Sequence, residues 1–418
     1  VYKRQAMDLL QITAVLISLT ALFSFLNHIY LKLPSTIGVM AISIALSLML
    51  LILGSMGYPL LLEQEKTLLE GIDFSTTLLH GMLSFLLFAG ALHVDLNRLA
   101  SLKWVVASLA TLGVLLSTII VAWLIWLVAS LLELPLEFIH CLLFGALISP
   151  TDPVAVISTL KTLGVPVSLE TKIAGESLFN DGVGVVLFLV IFNIAYSSEQ
   201  MHAAEVAELF ITETLGGALF GILAGYIAYR MLKRVDNYQV EIIISLALVM
   251  GGYAFAEAWH LSAPIAIVVA GLLIGNHGRQ FAMSDKTREH LDTFWELIDE
   301  ILNAVLFVLL GLEVLLIIPI SINTLLLAII AIPVVLLARF VSVSLPVTAL
   351  RKWYRFSPGV VKILTWGGLR GGISVALVLS LPADEVRMYL LPITYAVVVF
   401  AMLVQGLTLG TVIKRQGL

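Results

Sequence analysis

The chain is a succession of apolar runs, each close to 20 residues long, separated by short polar turns. A run of that length matches the ~30 Å hydrocarbon core of a bilayer at 1.5 Å rise per residue. Hydrophobic residues make up 60% of the 418 and charged residues 12%, against about 45–50% and about 25% in a soluble domain. Mean hydropathy is +1.06. The fold class expected is an all-α polytopic membrane protein, with the lipid bilayer as its first partner and no nucleic acid. A single cysteine, Cys141, excludes an intrachain disulfide and a Cys-based metal cluster. No cofactor is expected. Residues 1–6, VYKRQA, read as a remnant upstream of a start at Met7. No small-residue cleavage site follows the first run, so that helix is expected to be retained.

About thirteen runs can be counted, near 8–30, 36–54, 74–93, 102–131, 138–160, 170–195, 207–230, 239–258, 262–276, 290–312, 321–347, 359–381 and 389–412. Basic residues test the count. One side would hold Lys32, Arg98, Lys103, Lys161, Lys172, Arg230, Lys233, Arg234, Arg279, Lys286, Arg288, Arg351, Lys352, Arg355, Lys362, Lys414 and Arg415. The other would hold Lys66 and Arg387, with acidic loops at Glu63–Asp73 and at Glu199, Glu205 and Glu208. The positive-inside rule then puts the N-terminus outside and the C-terminus in the cytoplasm, in a plasma (inner) membrane.

Two runs break the helical pattern. The fifth contains SPTDP, with Pro150 and Pro153 around Asp152; the twelfth contains WGGLRGG, with four glycines around Arg370. Proline removes a backbone donor and clashes with the preceding turn. Carbonyls near Ser149 and Thr151 are then free, and a dehydrated cation could satisfy them. The two runs are seven apart and so cross in opposite directions. Interrupted segments at matching places in two halves point to a transporter's binding site. An inverted repeat of six plus six runs fits, inferred from the breaks alone.

The sixth run carries Glu176, Ser177, Asn180 and Asp181. Ser177 and Asp181 share a face at i,i+4; Glu176 and Asn180 form the adjacent pair. Carboxylate, hydroxyl and amide are hard oxygen donors suited to Na⁺, with no His or Cys to favour zinc or copper. Ionisable groups at membrane depth cost about 3 kcal/mol or more each, so three acids there point to an ion site in a cation/proton exchanger. A kink capped by Asp152, or a polar patch gluing helices, is the plainer alternative. Arg370 needs a partner, for which Glu176 is the nearest candidate by layer and Asp152 the rival. Glu296, Asp299, Glu300 and Asn303 read as solvated helix-end groups rather than an access funnel. His93, Asp95 and Arg98 read as interfacial, and Arg339 as near its helix end and able to snorkel.

SPTDPVAV followed by GESLFNDGVGVVLF, and later GGLRGG, resembles the monovalent cation/proton antiporter-1 family, close to bacterial NhaP-type Na⁺/H⁺ antiporters. The resemblance extends over essentially the whole chain. It implies a homodimer with scaffold helices in 1–95 and 201–313. The mobile core would occupy 96–200 and 314–418 and move like an elevator. It implies Asp181 as the carboxylate that binds Na⁺ or H⁺, Ser177 and Thr151 as further ion ligands, and Asp152 and Asn180 in support. Glu176 would pair with Arg370. Where some relatives carry a glutamate in the third span, this chain has Ala89. The transported ions would be Na⁺ and H⁺; a K⁺/H⁺ antiporter, an intramembrane aspartyl protease and a channel are the competing readings.

Overall fold

The computed structural model describes residues 9–56, 77–196, 203–317 and 320–416; residues 1–6, the 63–73 segment with Lys66, and Glu199 lie outside the described residues. The described residues contain helices and no strand. A bilayer demands this, because without water each segment must close its own backbone hydrogen bonds. The principal helices begin with α1 Leu10–Leu31, α2 Ser35–Ser55, α3 Thr77–Leu92, α4 Lys103–Leu131, α5 Phe138–Ile148 and α6 Val154–Leu163. Next come α7 Val167–Tyr196, α8 Ala203–Leu232, α9 Tyr238–Ala258, α10 Ala263–Leu273 and α11 Asp285–Leu312. The last are α12 Ile322–Leu350, α13 Val360–Trp366, α14 Gly372–Leu379 and α15 Glu385–Lys414. Among the described residues, 8 helices are long and apolar enough to cross a membrane: α1, α2, α4, α7, α8, α9, α12 and α15.

Both expected breaks are present. Residues 149–153 interrupt the helix between α5 and α6, and residues 367–371 interrupt it between α13 and α14. At 11 and 10 residues, α5 and α6 are each too short to cross alone. Single prolines elsewhere are absorbed: Pro333, Pro346 and Pro392 lie inside α12 and α15 without ending them.

Two hydrophobic clusters organise the packing. The larger joins α4 to α7 with α12 to α15, and takes in Leu16 of α1, Ile37 and Met40 of α2, Leu78 and Met82 of α3 and the second half of α11. The second joins α3, α8, α9, α10 and the first half of α11, where Leu291 and Trp295 are buried. Helices α7 and α11 contribute to both. A cavity of about 450 Å³ lies between the clusters, walled by Leu83 and Leu87 on one side and Pro150, Gly371 and Ile373 on the other.

Candidate functional site

The site is built where the two broken helices cross. The Asp152 N–H donates to the Leu369 carbonyl at 2.8 Å, tying one break to the other. Ser149 would normally have its carbonyl bonded by the N–H four residues on, but that residue is Pro153. Pro150 loses its donor differently: the Val154 N–H is taken by Asp152 Oδ1 at 2.9 Å. Arg370 serves both orphans, donating from Nη1 to the Ser149 carbonyl at 2.6 Å and the Pro150 carbonyl at 2.7 Å. The other break is treated alike. Gln405 Nε2 donates to the Trp366 carbonyl at 3.0 Å, and Arg339 Nε to the Leu364 carbonyl at 3.3 Å. Unpaired carbonyls inside a membrane cost several kcal/mol each, by the ~2–7 kcal/mol range for buried polar groups, so these side chains hold the breaks open at little penalty.

Helix α7 closes against the first break. Asn180 Oδ1 accepts from the Thr151 N–H at 3.2 Å while Asn180 Nδ2 donates to Thr151 Oγ1 at 2.8 Å. Thr151 Oγ1 and Ser177 Oγ lie 3.0 Å apart. Thr151, Ser177 and Asn180 are therefore brought together, and all three are buried. The approach needs a missing side chain at Gly184, where a Cβ would run into the Pro150 ring.

Asp152 and Asp181 both face the cavity, each one residue beyond a member of this cluster. Asp181 is buried and takes no hydrogen bond from any described residue. Asp152 is half-buried and caps α6 through the Val154 N–H, so the capping role and the place at the cavity coexist. Gly371 packs on the Asp152 carboxylate, leaving no room for a Cβ.

The expected pairing of Glu176 with Arg370 is not found. Glu176 Oε1 instead accepts from Arg339 Nη1, and both side chains are buried. Arg339 does not snorkel: it sits well inside the 29-residue α12, among buried positions. Arg370 is engaged by the carbonyls that the prolines release, which also means those carbonyls are not left for a cation. Its Nε and Nη2 have no hydrogen-bond partner among the described residues.

Sequence reasoning undervalued the α11 acids. Glu296, Asp299, Glu300 and Asn303 all line the same cavity as Asp181, as does Ala89. Asn303 is buried and donates to Asp299 Oδ1 at 3.1 Å. The signal was their i,i+3 and i,i+4 spacing on one face. His93 is exposed and lines the cavity, and Asp95 caps the short helix Leu96–Ser101. No group of three or more His, Cys, Asp or Glu among the described residues is arranged to hold a metal ion.

A charged, hydrogen-bonded crossing of two broken helices beside a cavity is the architecture of a membrane transporter rather than an enzyme. The family model described as sodium/hydrogen exchanger, transmembrane, matches residues 14–415, and the chain belongs to that family. It is 48% identical over 411 residues to the Na⁺/H⁺ antiporter NhaP of Pseudomonas aeruginosa, covering 97% of each chain. It is 36% identical over 387 residues to the Na⁺/H⁺ antiporter NhaH of Halobacillus aidingensis, covering 90% of this chain and 92% of that one. The structure of the sodium proton antiporter MjNhaP1 from Methanocaldococcus jannaschii at pH 8 superposes with a TM-score of 0.78. That match covers 98% of this chain and 99% of that one at 18% identity, so the two share a fold.

Proposed function

We propose that the protein exchanges Na⁺ for H⁺ across the plasma membrane, one for one, with Asp181 carrying each ion in turn. The observation that carries this reading is the Asp181 carboxylate, buried, without a hydrogen bond from any described residue and open to the cavity. Its neighbours supply hydroxyl oxygens from Ser177 and Thr151, while Asn180 fixes Thr151 in place. Charge supports the stoichiometry. The crossing holds three carboxylates, Glu176, Asp152 and Asp181, and two guanidiniums, Arg339 and Arg370. Three minus two leaves one negative charge, which one Na⁺ or one proton neutralises equally. The loaded site then carries the same charge in both directions.

In this reading a core, residues 96–200 and 314–418, moves against a scaffold, residues 1–95 and 201–313, in a homodimer, although the larger hydrophobic cluster also takes in Leu16, Ile37, Met40, Leu78 and Leu306 from the scaffold. The movement exposes Asp181 first to one side and then to the other, around an inverted repeat of about thirteen spans. The exposed residues of the cavity lining include Ser35 and His93, close in sequence to Lys32, Arg98 and Lys103. By the positive-inside rule this is the cytoplasmic side, which supports reading the cavity as facing inward.

The test uses purified protein in proteoliposomes holding a proton gradient. Addition of Na⁺ should dissipate the gradient without membrane current, which separates an exchanger from a channel. Asp181→Asn should insert and fold yet exchange at no more than a few per cent of wild type, because an amide alternates between neither load. Substantial exchange by a properly inserted Asp181→Asn protein would remove Asp181 from its central role.

A further inference from the structure

The end of α11 away from the cavity carries a second buried acid that the site does not use. Asp299, Asn303, Leu306, Leu310 and Glu313 follow at three- and four-residue spacing, so they share one face of α11 and its last turn. The first three line the cavity. The Leu310 carbonyl accepts from the Tyr395 hydroxyl at 3.0 Å. Glu313 stands roughly 21 Å along the helix from Asp299 at 1.5 Å per residue. It is buried, and its Oε2 has no hydrogen-bond partner among the described residues.

What faces Glu313 belongs to a different helix. The charge acting on it is that of Arg387, in the first turn of α15, and Glu313 in turn acts on Tyr395. The start of α15 is fixed by Asp384, whose Oδ1 accepts from the Arg387 N–H at 3.0 Å and whose Oδ2 accepts from the Tyr196 hydroxyl at 2.9 Å. Arg387 also donates to the Leu381 carbonyl at 3.4 Å. Thus α7 and α15 are tied to each other at this end, while α15 meets α11 through the Tyr395 bond and the Glu313–Arg387 attraction. If Asp181 is to be reached from this side, α11 and α15 are the helices that must part here.

We propose that Glu313, Arg387 and Tyr395 form a gate on the side opposite the cavity, and that Glu313 receives the monovalent cation there when the gate opens. Shut, the gate is held by the Tyr395–Leu310 bond, while the Arg387 charge acts on Glu313 from the start of α15. Open, Arg387 withdraws with α15 and leaves the carboxylate to solvent. The inference rests on the alternating-access reading above.

Glu313→Cys tests it directly, because the chain's single native cysteine, Cys141, is buried. A membrane-impermeant maleimide is applied to one face of oriented proteoliposomes. Labelling is expected from the face opposite the cavity, and adding Tyr395→Phe should speed it by roughly two- to tenfold, the value of one net hydrogen bond. Labelling confined to the cavity face, or a rate unmoved by Tyr395→Phe, overturns the gate. In a second arm, Glu313→Gln should raise the half-saturating Na⁺ concentration on the gate side and leave the cavity side unchanged; an equal change on both sides overturns the role given to Glu313. The labelling arm needs no transport. Wild-type protein that fails to exchange Na⁺ for H⁺ therefore sinks the exchange reading, whereas exchange with an unlabelled gate position sinks the gate alone.

Discussion

Breaking the Glu176–Arg339 pair should be among the most damaging changes to the folded state. The two side chains are 1% and 7% exposed, so solvent does little to screen a charge left behind. Removing one partner of such a pair costs about 3–5 kcal/mol, because the other is stranded. Arg339 also serves the Leu364 carbonyl, an acceptor worth roughly 1–3 kcal/mol when orphaned. Arg339→Met should therefore lose more stability than Glu176→Gln. The double variant strands no charge and should lose little more than Arg339→Met alone, giving a coupling of at least about 2 kcal/mol. Arg370→Met acts differently, by orphaning the Ser149 and Pro150 carbonyls, and its coupling to Glu176→Gln should be smaller. Thermal unfolding in detergent, followed by tryptophan fluorescence, gives the midpoints for both cycles. Additive losses at 176 and 339, or a larger coupling between 176 and 370, would refute the assignment.

Two further changes probe the crossing. Gly371→Ala drives a methyl into the Asp152 carboxylate; overpacking of this kind costs about 1–3 kcal/mol, and both the unfolding midpoint and the exchange rate should fall. Asn180→Ala leaves the Thr151 N–H without its acceptor, a loss of roughly 1–3 kcal/mol; the apparent Na⁺ affinity in the vesicle assay should weaken as Thr151 loosens.

The breaks were legible because their cause is local. Pro150 and Pro153 delete donors, and the glycines around Arg370 pack where a side chain would collide, so the interruption is written in a few adjacent letters. Helical spacing by itself pairs Ser177 with Asp181 and Glu176 with Asn180; that Thr151 joins Ser177 and Asn180 followed from the family resemblance. The partner of Glu176 was not legible. Arg339 lies 163 residues away, and depth along a helix does not say which of two arginines faces a given neighbour. The carbonyls released by the prolines looked available to a cation because nothing in the sequence links them to Arg370, which is 221 residues from Ser149. Glu296 and Glu300 are exposed as the solvated reading expects; their place in the cavity lining beside Asp299 and Asn303 was not legible, because an acidic face near a helix end looks the same whether it meets bulk water or a cavity. Only the placement of α11 against α2, α3 and α14 decides that.

The central claim is that one carboxylate carries one ion of either kind. The measurement that tests it most directly is the balance point: the pH gradient across proteoliposomes at which a known Na⁺ gradient drives no net flux, taken with the membrane potential clamped at several values. A single excess charge at the crossing predicts that equal ratios of Na⁺ and H⁺ balance, and that the clamp does not move the balance point. A balance point that shifts with potential would contradict the account and make Asp152 a second proton carrier.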